Sequence, residues 1–311
     1  MSTTPEKAWP VAVFAHNEER GIIACLDSVL QAATHPIECY VLANACTDGT
    51  EALVAKYRED HPNVQLVSIR LGDKANAWNV FVHDAAPAGA EYYFFVDGDV
   101  RASAAAIDAL AAALVDAPQA NGASALPYSG RNVKQFRGDM LREKGLAGNL
   151  YALRGSFMER LRAQHICMPV GVIGEDALVG AMLKWDLSGD TRWDNNRIAM
   201  AEKAGFEFDP MQMTRLSNWK KYFRRRVRYS LREFQNRILG PSIKEKGFTG
   251  LPACATDLYK AHPAELVLRW RGVDTFFDWL ALREIREAMM GMGKSKPGNL
   301  ITAAHEEGKI K

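Results

Sequence analysis

The sequence predicts an α/β fold with a mostly parallel sheet and helices on both faces, on three observations. Short apolar runs rich in β-branched and aromatic residues recur early in the chain. Stretches of helical periodicity separate them, which is the rhythm of β-α-β units with right-handed crossovers. Each run ends in a polar cluster, and in an open parallel sheet those ends share one rim, where ligands bind.

Pro10–Phe14 is the first strand, followed by a helix from Glu18 to Ala33 with Ile22, Ile23, Leu26, Val29 and Leu30 on one face. Glu38–Leu42 is the second strand, and Thr47 or Asp48 caps a helix through Tyr57. Val64–Ile69 and Lys74–Ala85 form a third strand and helix, Tyr92–Val96 and Ser103–Val115 a fourth. Residues 120–200 mix turns with short strands. Asn218–Ile238 reads as a basic helix that Gly240-Pro241 should break, and Pro263–Met290 as a final helical region. The composition from Gly291 onward predicts a mobile or partner-ordered tail. The expected division is residues 1–215 for the α/β domain and 216–311 for the basic helix and C-terminal helical extension.

With 311 residues, 48% of them hydrophobic, the chain can bury one large domain with appendages or two modest ones. A net charge of +2 gives no general case for nucleic acid. Five scattered cysteines, an odd number without metal or redox spacing, predict free thiols in a reducing compartment. Met1–Lys7 is polar with no apolar stretch behind it, and no run reaches the ~18 apolar residues of a membrane span. The expected location is cytoplasmic, with a peripheral position on the inner face of a membrane as the alternative.

The rim clusters are Ala15-His16-Asn17-Glu18-Glu19, Asn44 through Gly49, Gly72-Asp73-Lys74 and Asp97-Gly98-Asp99. Asp97 and Asp99 flank a glycine at a strand end, where two hard oxygen ligands suit Mg2+ or Mn2+ completed by substrate phosphates. The bland alternative is a turn whose aspartates accept backbone hydrogen bonds. There is no Walker loop, and no Gly-x-Gly-x-x-Gly follows the first strand, which argues against a nicotinamide or flavin enzyme. None of the seven histidines forms a metal-spaced cluster.

Together these segments resemble the inverting family 2 glycosyltransferases with their GT-A domain. Val11 through Glu19 is similar to the opening strand ending in Tyr-Asn-Glu-Glu, and Asn44 through Thr50 to Asn-Gly-Ser-Thr-Asp-Gly-Thr. Gly72 through Asn79 resembles Gly-Lys-x-x-Ala-Leu-Asn, and Asp97-Gly98-Asp99 the Asp-x-Asp motif. Gly148–Arg154 resembles the acceptor-side Gly-x5-Arg, and Gly174-Glu175-Asp176 the Glu-Asp pair. The resemblance covers roughly residues 10–185. It implies a GT-A, Rossmann-like sheet and transfer of a hexosyl or N-acetylhexosaminyl group from a nucleotide diphosphate sugar to an acceptor hydroxyl. That acceptor would be lipid-linked, a polysaccharide or a small molecule.

By the same resemblance, Asp97 and Asp99 hold Mn2+ or Mg2+, and Asn17, Glu18, Asn44, Asp48, Lys74 and Asp97 line the donor site. Arg154 faces the acceptor, and Asp176, with Glu175 as second choice, takes the acceptor proton. Asp176 could equally be a helix N-cap. Ala43 stands where many members read the base with aspartate, so uridine specificity is not carried over. Arg225-Arg226-Val227-Arg228-Tyr229 departs from the processive Gln-x-x-Arg-Trp, so a single transfer is expected.

Between Lys220 and Arg237 stand eight Lys/Arg against Glu233 alone, interleaved with an apolar stripe. Its basic face is solvated, or sets Arg225 or Arg228 on the donor diphosphate, or meets anionic lipid; nucleic acid ranks last. Leu266, Trp270, Phe276, Phe277, Trp279, Leu280, Ile285 and Met289 must be covered by the domain, a second subunit in a homodimer, or a membrane, core packing being the expectation. Two other functions compete. A sugar nucleotidyltransferase should open with a glycine-rich basic loop, which this chain lacks. A non-catalytic lipid- or polysaccharide-binding protein has no need of both acidic pairs.

Overall fold

The computed structural model describes residues 7–130, 132–189, 192–208 and 216–291, with side chains of the segment 216–221 excepted. The tail expected after Gly291, and the side chains of Lys220 and Lys221, lie outside the described residues. β1 (Trp9–Ala15), β2 (Ile37–Asn44), β3 (Val64–Ile69) and β4 (Tyr92–Asp97) pair in parallel in the order β3-β2-β1-β4. β1 and β4 are buried along nearly their whole length, as a parallel strand covered on both faces must be.

The intervening helices are α1 (Ile22–Gln31), α2 (Thr50–Asp60) and α3 (Lys74–Val80), the last continuing into a π-helical turn at Phe81–Ala85. Two starts differ from expectation. Glu18-Glu19-Arg20 form a turn before α1, and Gly49 rather than Thr47 or Asp48 occupies the cap of α2.

The second half of the sheet comes from β5 (Val100–Ala102), β6 (Gly122–Pro127), β7 (Leu150–Arg154) and β8 (Ile198–Phe208). The full order is β3-β2-β1-β4-β7-β6-β8-β5. β7 is antiparallel to both β4 and β6, with Val96 opposite Leu150. Its first residues therefore stand on the rim where β4 ends. The helices of this half are α4 (Ala106–Asp116), α5 (Val133–Glu143), α6 (Gly155–Ala163) and α7 (Glu175–Lys184).

α8 (Leu216–Lys246), α9 (Ala255–Ala261) and α10 (Asp274–Met289) complete the chain. One face of the sheet buries Leu26 of α1 and Leu110 of α4. The other buries Trp78, Leu161 and Val179 together with Phe234 and Ile238 of α8 and Ile285 of α10, so the C-terminal helices share the core of the sheet.

Pro241 does not break the basic helix; α8 runs through it. An interior proline costs about 3 kcal/mol. Burial of Ile238, Leu239 and Ile243 on either side, at about 2 kcal/mol per side chain, outweighs that. The final helical region is also shorter than expected. It holds a 3-10 turn at Pro263–Glu265, irregular chain to Val273, and then α10.

Candidate active site

The loops after β1 and β2 are tied to one another by side chains that the sequence marked for the donor. Asn17 Oδ1 accepts from the Thr47 amide at 2.7 Å. Asp48 accepts from the amides of Thr50 (3.0 Å) and Glu19 (3.1 Å), and the Glu18 amide donates to Thr50 Oγ1 at 2.8 Å. The Asp48 carboxylate is thus a staple between two rim loops.

Asn44 is buried, and its Oδ1 accepts from the Asp73 amide at 3.0 Å, which fixes the turn before α3. Asp73 caps α3 by accepting from the Asn76 amide (2.8 Å), while its other oxygen takes the Gly171 amide (2.9 Å). Burial pushes the Asp73 carboxyl above its usual value, against those two amides.

The capped helix delivers Lys74 to the middle of the rim. Its ammonium lies 2.5 Å from Asp97 Oδ1 and 2.6 Å from Glu175 Oε1. Burial opposes the charge on Lys74, but the two carboxylates hold it well above the usual lysine range. Burial pushes Asp97 up to about 6, with Lys74 pulling the other way. Glu175 is also raised by burial, yet Lys74 first and Arg228 after it outweigh this and hold it below its ordinary value.

Asp97 closes β4, and its Oδ2 accepts from the Asn149 side-chain amide at 3.2 Å. Its Oδ1 is buried and has no hydrogen bond of normal geometry, only the close ammonium. Asp99 stands past the strand end in an exposed turn, so strand alternation does not align the two carboxylates. Gly98 between them is packed on β1; a Cβ there would stand 2.8 Å from the Phe14 carbonyl oxygen.

A buried carboxylate oxygen held only by an ammonium, beside an exposed carboxylate, fits a divalent cation. Among the described residues no three or more His, Cys, Asp or Glu form a metal cage, so further ligands would come from diphosphate and water.

Glu175 and Asp176 open α7, whose cap is Gly174 at φ 83°, so Asp176 is not the cap. A Cβ on Gly148 would lie 2.8 Å from the Asp176 Cβ, which brings Asp176 next to the Asn149 that holds Asp97. α8 completes this side. Arg232 lies 3.4 Å from Asp176 Oδ1, and Arg228 is near enough to act on Glu175 and Asp73. Gln235 accepts from the Ile173 amide (2.7 Å) and donates to the Gly171 carbonyl (2.8 Å), fixing the segment before α7.

Two sequence assignments do not meet the rim. Arg154 ends β7 opposite Tyr92, at the other edge of the sheet, roughly 17 Å along the strand from Asn149. There it donates to the carbonyls of Ala120 (2.9 Å), Leu114 (2.7 Å) and Ala117 (3.1 Å), holding the end of α4. Arg225 donates to the Tyr229 hydroxyl at 2.6 Å and is exposed. Arg232, Gln235 and Asn149 were missed in the sequence; only the basic stripe of α8 signalled the first of them.

The family model for glycosyl transferase family 2 matches residues 11–171, more than half of the chain. The chain belongs to glycosyl transferase family 2. This glycosyltransferase resembles the mannosyltransferase PcManGT of Pyrobaculum calidifontis, solved with GDP-Man and Mn2+, at 20% identity and TM-score 0.55, over 92% of this chain and 80% of that one. Staphylococcus aureus TarS aligns at 15% identity and TM-score 0.49, over 92% and 73%. Glucosyl-3-phosphoglycerate synthase of Mycobacterium tuberculosis, solved with Mn2+, UDP and glucosyl-3-phosphoglycerate, aligns at 19% and 0.44, over 62% and 68%. No curated protein matches the glycosyltransferase. The first of these likenesses carries the GT-A fold.

Proposed function

We propose that this glycosyltransferase moves a sugar from a nucleotide diphosphate sugar to an acceptor hydroxyl, with inversion and one transfer per encounter, assisted by Mn2+ or Mg2+. The observation that carries the reading is the Lys74 ammonium set between Asp97 and Glu175 at the meeting point of the strand ends. Lys74 would meet the diphosphate, and its position between two carboxylates at the rim supports that role. Asp97 and Asp99 would hold the divalent ion, which supplies charge neutralisation on the departing diphosphate. Asn17, Asp48 and Asn44 shape the donor loops through their hydrogen bonds.

Asp176 takes the acceptor proton. Glu175 is occupied by Lys74, whereas Asp176 keeps a partly exposed carboxylate beside Gly148. One base across from one leaving-group site suits a single displacement at the anomeric carbon. The five cysteines all stand as free thiols, which supports a cytoplasmic setting.

The test is calorimetric titration of nucleoside diphosphates with and without Mn2+, paired with transfer assays. Asp97→Asn should lose the Mn2+-dependent affinity. Asp176→Asn should keep it and lose transfer by roughly 10²- to 10⁴-fold. Unaltered Mn2+-dependent binding in Asp97→Asn, or near-normal turnover in Asp176→Asn, overturns the corresponding role.

A further inference from the structure

The core does not cover the aromatic residues of the C-terminal region. Trp270 is 86% exposed, Val273 79%, Phe276 52%, Trp279 48% and Phe223 45%. Phe223 of α8 meets Phe276 and Phe277 of α10 at ring-centroid distances of 6.4 and 5.4 Å, and Phe276 stacks on Trp279 at 6.3 Å. Val273 lies one turn before Phe276. Phe223, Phe276 and Trp279 form one apolar surface spanning two helices, and Trp270 and Val273 are exposed in the segment that leads into α10, where scattered single exposures would need no explanation.

The charge around that surface has one sign on α8. From Tyr222 to Arg232 the helix carries Arg224, Arg225, Arg226, Arg228 and Arg232 and no acidic residue. Arg226 is paired with Asp274, and Arg228 and Arg232 turn to the active site. Arg224 remains exposed next to Phe223, while Arg225, two positions on, lies on another side of the helix and donates to the Tyr229 hydroxyl. Exposed tryptophan and phenylalanine flanked by arginine is the composition of a membrane-water interface, where rings enter the headgroup layer and guanidinium groups meet lipid phosphates. Among the described residues no helix is long and apolar enough to cross a bilayer.

We propose that the surface formed by Phe223, Trp270, Val273, Phe276 and Trp279 docks this protein on an anionic lipid bilayer, with Arg224 contributing the charge preference. Phe223 precedes Arg228 by five residues, about 7.5 Å along α8, so docking brings the headgroup layer to the same helix that borders Asp176. The surface is independent of the donor-site assignments.

Sedimentation with vesicles of phosphatidylcholine alone, and of phosphatidylcholine mixed with phosphatidylglycerol, tests this. The wild type should sediment with the anionic vesicles, less so at high salt, with a blue shift of tryptophan emission. Trp270→Ser with Trp279→Ser should lower the partition coefficient about tenfold or more. Arg224→Gln should lower it about fivefold on anionic vesicles only. These side chains are exposed, so the variants should keep the wild-type unfolding temperature and nucleotide affinity. Failure of the wild type to sediment overturns the proposal, as does binding that the tryptophan variant leaves intact. Self-association in sedimentation velocity that the tryptophan variant abolishes, with no vesicle binding, assigns the surface to a second copy instead.

Discussion

The guanidinium of Arg232 lies 3.4 Å from the carboxylate of Asp176, joining the long basic helix to the helix that carries the proposed base. Both groups are about one-third exposed, so the pair contributes little to stability. Its effect is orientation. Arg232→Gln should lower kcat about tenfold at unchanged donor affinity, with partial recovery in Arg232→Lys. Steady-state kinetics alongside nucleotide titration separates this from a folding defect, which would lower both.

Gly148→Ala probes the same base from the other side. The added methyl would stand 2.8 Å from the Asp176 Cβ, closer than side chains tolerate, so Asp176 must shift. Transfer should fall by about tenfold or more, because small misplacements of a catalytic group are costly. Mn2+-dependent nucleotide binding should remain. Equal kcat in this variant would show that the carboxylate has freedom to move.

Arg154→Ala distinguishes a structural arginine from an acceptor ligand. Three backbone carbonyls lose a charged donor, which should cost about 2–3 kcal/mol and lower the unfolding temperature measurably. The acceptor KM of the folded fraction should not change. A raised KM at constant stability would restore the acceptor role.

His83 gives a pH signature. Burial pushes its imidazole below the usual value, against its hydrogen bond with the Ile166 carbonyl at 2.9 Å. The folded state therefore prefers the neutral ring. Its stabilising effect is complete above the ordinary histidine range and declines as pH falls through and below it. His83→Gln, which can still donate to Ile166, should make the urea midpoint fall less between pH 7.5 and pH 5 than in the wild type.

The four early strands were legible because parallel strands covered on both faces must be apolar without interruption, and Tyr92–Val96 is such a run. β6 and β7 were not: Gly122–Pro127 is made of small residues that fit equally well in a turn. Arg154 was misread because a Gly-x5-Arg stretch says nothing about strand direction, and β7 sends its glycine and arginine ends to opposite edges. The polar clusters were read correctly as sharing a rim, but Asn44, Asp48 and Asp73 prove to be engaged mainly with backbone amides. Pro241 looked like a stop because local propensity contains no term for the core that α8 packs on.

The reversed direction of β7 has an outcome of its own. Asp48, Lys74 and Asp97 arrive from the ends of forward-running strands early in the chain, whereas Gly148, Asp176 and Arg232 come from a returning strand and two later helices. Several side chains join the two groups: Lys74 with Glu175, Asn149 with Asp97, Asp73 with the Gly171 amide, and Asn79 with the backbone of Met168. A change in loop 144–149 or 168–174 accordingly reaches Asp97 or Asp73 as well, so neither half of the rim is reshaped alone.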